Sequence, residues 1–301
     1  MDKKGLVMAL VGGLVGSLVV GTLVVVGIAS TQSSHEVVAL RQEVEELKAG
    51  LAAFGPQDGH GHGRPNVLTT FNTDVNSPQV SAEAFVDPLA SVIGDVILGH
   101  EVYVAPFASI RGDEGQPIAL GDETNVQDGV VIHALETIDG GVPVPNRTFE
   151  VNGRDYAVYI GRKVSLAHQS QVHGPARIDD NVFIGMQALV FKSAVGAGAV
   201  VEPGAKLIGV SVAAGHYVPA GSVITDQAVA DKLPLITPDY PFRTLNDAVV
   251  HVNSSFAKGY AAQAESVLVA RSKEGAGEAE PAKEEKVAVA EKKKPEAKGE
   301  H

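Results

Sequence analysis

The feature that most constrains this chain is a series of aliphatic residues repeated every six positions through its middle part. Upstream, the period runs from Val92 to Ile110 and resumes, after a four-residue insertion, from Leu120 to Ile132. A helix requires a period near 3.6 and a half-buried strand a period of 2, so neither explains the spacing. The longest unbroken series is Ile160, Leu166, Val172, Ile178, Ile184 and Val190.

A six-residue period is typical of a solenoid in which each repeat supplies one short strand and a turn. Three repeats form one triangular coil, and the inward aliphatic residues of successive coils stack on each other. We therefore predict an all-β solenoid, a left-handed parallel β-helix of about seven coils over residues 66–245. Residues 246–272 alternate Ala and Val with polar residues and are predicted to form a C-terminal α-helix.

Composition excludes several classes of function. The 301 residues include no cysteine, which excludes a disulfide scaffold, a thiolate metal site and a cysteine nucleophile. Lys and Arg total 24 against 36 Asp and Glu, and no basic stripe is present. An acidic chain of this kind is not expected to bind nucleic acid, because it has no basic stripe to neutralise phosphates.

The N-terminal residues predict a membrane segment. Lys3 and Lys4 precede an uncharged stretch from Gly5 to Ala29 that is long enough to span a bilayer. We interpret residues 1–34 as a signal or transmembrane anchor, with cleavage after Ala29 and secretion as the alternative. In either case the positive-inside rule places the rest of the protein outside the cytoplasm.

Three further segments flank the predicted solenoid. Residues 35–54 carry aliphatic residues at heptad spacing and are predicted to form a short coiled-coil stalk before the membrane-distal part. Residues 55–65 are rich in Gly and include His60 and His62, which are better explained by a solvated linker than by a metal site. Residues 273–301 consist mainly of Lys, Glu, Ala and Pro and predict a disordered tail.

Three histidines stand out against the hexapeptide period. His133 and His173 each follow an inward aliphatic residue by one position, so they occupy equivalent places on their coils. His168 lies at a different place in the repeat and points elsewhere. A lone histidine on a β-helix is usually a surface residue, but three at matched positions favour a metal site. The three-histidine set would be complete if a neighbouring subunit supplied His168. Three imidazole ligands would leave one coordination position of the metal open for water, as at a catalytic zinc.

The chain around His133 is unusually polar for a solenoid. A buried Arg111 would pair with Asp113 or Asp128, across a subunit contact. Glu136 begins a loop from which a carboxylate can exchange protons with solvent. The alternative for this region is a solvated charged turn. The polar residues concerned are Arg111, Asp113, Glu114, Gln127, Asp128 and Glu136.

Two segments resemble the γ-class carbonic anhydrases. The first combines Ala108-Ser109-Ile110-Arg111-Gly112-Asp113-Glu114-Gly115 with Asn125-Val126-Gln127-Asp128-Gly129-Val130-Val131-Ile132-His133-Ala134-Leu135-Glu136-Thr137, and the second is Ser165-Leu166-Ala167-His168-Gln169-Ser170-Gln171-Val172-His173-Gly174-Pro175. The resemblance covers about residues 66 to 262 and is far more specific than the period alone. It implies a homotrimer of left-handed β-helices with metal sites between subunits.

The resemblance also implies a ligand set. His133 and His173 would bind the metal from one subunit and His168 from its neighbour. The expected metal is Zn²⁺, with Fe²⁺ or Co²⁺ as alternatives. Gln127 would orient the metal-bound hydroxide.

Other roles follow from the same resemblance. Glu114 would be the active-site carboxylate in the proton path and Glu136 the exposed proton shuttle. Asn253 would help to hold CO2. Arg111 would form interface ion pairs with Asp113 and Asp128, and it would also lie near bicarbonate.

The chain departs from the family pattern at two places. The loop after Glu136 is less acidic than the resemblance implies, and His251 stands where the family has tyrosine. We expect a lyase that reversibly hydrates CO2 to bicarbonate and a proton by means of a metal-bound hydroxide. The alternatives are a catalytically silent scaffold of the same fold and a hexapeptide acyltransferase, which would need a cleft for a thioester cofactor and no metal.

Overall fold

The computed structural model describes Gln42, Val44 and residues 63–277, the last of these as backbone alone beyond Gln263. The predicted anchor (1–34), almost all of the predicted stalk and linker, and most of the predicted tail lie outside the described residues. Within residues 63–277 no helix is long and apolar enough to cross a bilayer.

Three parallel sheets of eight, seven and seven strands form the faces of a solenoid. The first face contains Gly63–Arg64 (β1), Ser91–Gly94 (β4), Ser109–Gly112 (β7), Val131–His133 (β10), Gln171–His173 (β17), Leu189–Phe191 (β20), Lys206–Ile208 (β23) and Val223–Ile224 (β26). The second contains Gln79–Val80 (β2), Val96–Leu98 (β5), Ile118–Leu120 (β8), Val158–Ile160 (β15), Ala176–Ile178 (β18), Ala194–Val195 (β21) and Ser211–Val212 (β24). The third contains Phe85–Val86 (β3), Tyr103–Val104 (β6), Asn125–Val126 (β9), Ser165–Leu166 (β16), Phe183–Ile184 (β19), Val200–Val201 (β22) and Tyr217–Val218 (β25).

The aliphatic residues of the six-residue period form the core of the solenoid. Each pairs in register with its counterpart on the next coil, so that every face carries one continuous inward stack. The stack of the first face is Val92, Ile110, Ile132, Val172, Val190, Leu207 and Ile224, all buried. The predicted all-β solenoid of the left-handed type is therefore confirmed, and its first strand, β1, begins slightly before the predicted start at residue 66.

Tight corners depend on glycine at a few positions where one coil lies directly against the next. At Gly185, a Cβ atom would lie 2.6 Å from the backbone nitrogen of Pro203 and 2.8 Å from the carbonyl oxygen of Val201. Backbone atoms cannot move aside as a flexible side chain can, so this position requires glycine for steric reasons rather than for its dihedral angles.

Two loops interrupt the coils beside the first face. The shorter connects β7 to β8 and contains Glu114. The longer, residues 134–157, connects β10 to β15 and contains two antiparallel hairpins. Their strands are Ile138–Asp139 (β11) with Val142–Pro143 (β12), and Phe149–Val151 (β13) with Arg154–Tyr156 (β14). Both loops are therefore next to the strand ends that carry His133 and His173.

The chain closes with a short helix, Gln227–Ala230 (α1), and a long one, Leu245–Gly277 (α2). Asp226 caps α1 by accepting a hydrogen bond from the Ala228 backbone. Helix α2 packs on the third face, where Phe85 and Tyr103 stack with Tyr260. The predicted C-terminal helix is thus present, and it continues beyond its predicted end at residue 272.

Candidate functional site

His133 and His173 end adjacent strands of the first face. They are register partners in β10 and β17, and their ring centroids lie 4.6 Å apart. The prediction that they occupy equivalent places on their coils is confirmed. Although the two histidines are 40 residues apart in the sequence, they lie on successive coils, because the loop of residues 134–157 contains the additional residues.

The Nδ1 atoms of this histidine pair both face fixed acceptors. His133 Nδ1 lies 2.9 Å from Glu114 Oε2, and His173 Nδ1 lies 2.9 Å from the carbonyl oxygen of Gly174. Acceptors at these distances favour the tautomer with the proton on Nδ1, which leaves the Nε2 lone pair for a ligand. Burial lowers the pKa of His173, which also favours the neutral imidazole that metal binding requires.

The end of β7 places Arg111 beside this pair, and the loop between β7 and β8 places Glu114 there. Glu114 Oε2 also accepts a hydrogen bond from the Ala134 backbone at 3.1 Å, which fixes the carboxylate against β10. Arg111 Nη2 lies 3.3 Å from Glu114 Oε1, and its Nε lies 3.3 Å from Asp113 Oδ1. We call these five residues (Arg111, Asp113, Glu114, His133 and His173) the histidine-pair cluster.

Arg111 differs in one respect from the prediction. Its side chain, predicted to be buried, is 41% exposed in the single chain, where its partners are the predicted Asp113 and, in addition, Glu114. Asp128 instead pairs with His168, because both lie at the corner between the third and first faces, one coil apart. A contact between Arg111 and Asp128 of different subunits stays a prediction.

A second group of predicted residues lines a groove under helix α2. His168 is half exposed there, and its Nδ1 lies 3.0 Å from Asp128 Oδ2. Gln127 and Asn253 line the same groove, which has a volume of about 450 Å³, and each is 8% exposed. We call the groove lined by Gln127, Asp128, His168 and Asn253 the helix groove.

Two buried residues that the sequence analysis did not single out hold Gln127. Its Nε2 donates to Asn125 Oδ1 at 3.0 Å, and Asn125 Nδ2 donates to Ser165 Oγ at 2.9 Å. Asn125 and Ser165 are fully buried register partners. Their signal in the sequence is the same offset of 40 residues that relates His133 to His173.

Glu136 lies on the longer loop, where its side chain is 38% exposed. Its Oε1 is 3.5 Å from Arg147 Nη2, a partner that sequence reasoning missed. The next residue, Thr137, is buried and donates its backbone N–H to the carbonyl oxygen of Glu114 at 2.9 Å. The loops of Glu114 and Glu136 are therefore joined directly.

The structure thus separates the predicted site into two halves. In the described part of one chain, no three His, Cys, Asp or Glu side chains are grouped closely enough to hold a metal ion. The histidine-pair cluster offers two oriented imidazoles, and the helix groove offers one more. This donor set suits a divalent metal with nitrogen ligands.

Several known proteins are similar in sequence to this chain. No protein-family model matches the chain. It is 56% identical over 198 residues to the carbonic anhydrase of Methanosarcina thermophila, across 65% of this chain and 80% of that protein. It is 40% identical over 202 residues to the carboxysome assembly protein CcmM of a Nostoc species, across 67% of this chain but 35% of that protein. It is 32% identical over 127 residues to mitochondrial gamma carbonic anhydrase 2 of Arabidopsis thaliana, across 42% of this chain and 41% of that protein. The chain therefore belongs to the γ-class carbonic anhydrase family of enzymes.

Proposed function

We propose that this protein reversibly hydrates CO2 to bicarbonate and a proton at metal sites between the subunits of a homotrimer. The observation that carries the proposal is the pair of adjacent imidazoles whose Nδ1 atoms both face acceptors. Family membership supports the same activity and assembly.

The proposed ligands are His133 and His173 of one subunit and His168 of its neighbour. The second half-site supports this set, because His168 also has its Nδ1 beside an acceptor, the carboxylate of Asp128. Zn²⁺ fits three neutral imidazoles, and Fe²⁺ or Co²⁺ would accept the same donors. Bound there, the metal would lower the pKa of a water ligand to near neutrality and so supply a nucleophile for CO2.

The residues of the helix groove would orient the reactants. Because Gln127 donates its Nε2 to Asn125, its Oε1 is left as a hydrogen-bond acceptor for the reacting water. Asn253 lines the same groove beside the apolar side chains of Val252 and Phe256, a surface that suits CO2. Arg111 supplies a positive charge beside the histidine pair, where the bicarbonate product would carry its negative charge.

Proton removal is assigned to Glu114 and Glu136. Glu114 is 16% exposed and contacts His133, whereas Glu136 is 38% exposed and borders solvent. The backbone contact through Thr137 keeps the two loops together. A proton could therefore pass from the interior carboxylate to the exposed one and then to buffer.

The likeness to the carboxysome assembly protein favours a second candidate, a scaffold without catalysis. A scaffold would not need the buried Gln127–Asn125–Ser165 series of hydrogen bonds or the oriented imidazoles. We therefore place it second.

For location, we propose that the catalytic domain lies outside the cytoplasm. The support is the uncharged stretch 5–29 behind Lys3 and Lys4. Protease accessibility in intact cells tests this, because a cytoplasmic domain would be protected.

The test of function is stopped-flow CO2 hydration by full-length protein purified without oxygen, with metal analysis of the same sample. We expect fast hydration with about one metal per chain, and loss of both in His173→Ala. A trimer that binds metal but does not hydrate CO2 would favour the scaffold. Metal-free protein that transfers acyl groups would favour the acyltransferase.

A further inference from the structure

We infer that Arg147 is a positioning residue that holds the carboxylate of Glu136 in place for proton transfer. The inference rests on the proposed function, because it concerns the residue assigned to deliver protons to solvent. It arises from the ion pair between Arg147 Nη2 and Glu136 Oε1 at 3.5 Å.

The backbone beside Glu136 is fixed independently of Arg147. Thr137 is 1% exposed, and its hydroxyl donates to the carbonyl oxygen of Glu114 at 3.0 Å and accepts from the Gln116 backbone at 2.6 Å. With the chain anchored at the following residue, the remaining freedom of Glu136 is in its side-chain torsions. A partner that acts on the side chain therefore decides where the carboxylate lies.

The hairpin of β11 and β12 brings Arg147 back to this point. Ile138 pairs with Pro143, and the Val144 backbone donates to the carbonyl oxygen of Thr137 at 2.8 Å. Arg147 follows three residues later, and its side chain is 22% exposed against 38% for Glu136. The guanidinium is thus the more enclosed member of the pair, and Glu136 is the member that faces water.

The composition of the loop makes the position of Glu136 important. Between Glu136 and Arg147 the only other carboxylate is Asp139, which is exposed on the hairpin. A partly exposed ion pair such as this one restrains a side chain only weakly. Weak restraint suits a proton carrier, because the carboxylate must stay near the interior donor and still exchange with buffer.

The test compares Arg147→Ala and Arg147→Lys in the wild-type chain and in the Glu136→Ala chain. Stopped-flow hydration is measured at low and high imidazole concentration. We expect Arg147→Ala to lower kcat about two- to fivefold at low imidazole, the range of a weak ion pair, and to leave kcat/KM unchanged. High imidazole should remove the difference, Arg147→Lys should retain most of the activity, and in the Glu136→Ala background Arg147→Ala should have no further effect.

Arg154→Ala is the matched control, because Arg154 lies on the neighbouring hairpin strand β14 and packs over Tyr156. It should leave kcat unchanged. An equal loss of kcat and kcat/KM in Arg147→Ala, or the same loss in the Glu136→Ala background, would show a merely structural role and overturn the inference. An unchanged or higher kcat would also overturn it. Inactive wild-type protein would instead refute the proposed function, so the two failures are distinguishable.

Discussion

At the scale of single residues, the candidate ligands share one device: each of the three histidines has its Nδ1 beside an acceptor. The acceptors are a carboxylate for His133, a backbone carbonyl for His173 and a carboxylate for His168. Such partners fix the tautomer and the ring orientation before any ligand binds. The imidazoles are therefore oriented by the chain itself.

Asp128 allows a test of whether the acceptor beside a histidine Nδ1 contributes to metal binding. We predict that Asp128→Ala weakens metal binding by about 10- to 100-fold, because His168 loses the acceptor that fixes its ring. Competition against a chelator measures the affinity, and sedimentation shows whether the variant keeps its trimer. The control is Asp139→Ala, an exposed carboxylate on the hairpin. Wild-type affinity in the Asp128 variant would show that the contact has no part in metal binding.

Glu136 is the second residue with a distinct expectation. We predict that Glu136→Ala lowers kcat more than kcat/KM, because proton release follows the chemical step, and that added imidazole restores the rate. Buffer titration in stopped-flow experiments measures this. If imidazole fails to restore turnover, Glu136 is not the shuttle.

The periodic part of the site can be predicted from the sequence, whereas several of the side-chain partners cannot. His133 and His173 stand out in the sequence because they share a place in the repeat, and Asn125 and Ser165 share the same offset of 40 residues. The pairing of Glu136 with Arg147 has no such signal, because a hairpin rather than a coil brings them together. Within the single chain the neighbour of Asp128 at the corner is His168, a contact for which the repeat gives no signal, and its pairing with Arg111 across subunits stays a prediction.

At the scale of elements, a tight corner of the coils requires glycine, whereas glycine within the long helix is destabilising. We predict that Gly185→Ala destabilises the protein by about 1–3 kcal/mol, because its Cβ would press on the backbone of the next coil. Gly259→Ala should stabilise it by about 0.5–1 kcal/mol, because Gly259 lies within α2 with nothing near the site of a Cβ. Urea unfolding of the two variants measures both. If both substitutions changed the free energy of unfolding by the same amount, the close approach of the coils would not be the reason for glycine at position 185.

The contact between α2 and the third face predicts a response to alkali. Burial raises the pKa of Tyr103 to about 12, and nearby Tyr260 and Asp128 act in the same direction. The folded protein therefore keeps this proton at a pH where the unfolded chain has lost it, so stability present below about pH 10 is lost as the pH rises toward 12. Unfolding free energies between about pH 9 and 12 should fall less in Tyr103→Phe than in the wild type. If the unfolding free energies of the wild type and of Tyr103→Phe fell equally over this pH range, the prediction would be wrong.

At the scale of the whole molecule, the proposed division of the site between subunits rests on where the candidate ligands lie in one chain. His133 and His173 end two strands of the first face, whereas His168 lies in the turn between β16 and β17, at the opposite edge of that face. In the proposed cyclic trimer this edge of one subunit would lie against the histidine pair of the next, so that each copy would offer one half of the site at each of its two interfaces.

Mixed trimers test this arrangement. We predict that His133→Ala and His168→Ala trimers are each inactive, and that trimers reassembled from an equal mixture recover about one quarter of the wild-type sites. One interface in four then joins an intact histidine pair to an intact His168. Stopped-flow hydration and bound metal, measured before and after reassembly, should rise together. A mixture of wild-type and His133→Ala chains, reassembled in the same way, controls for the yield of correct trimers. If that control regains activity and the two-variant mixture does not, all three ligands must come from one chain, and the division of the site between subunits is wrong.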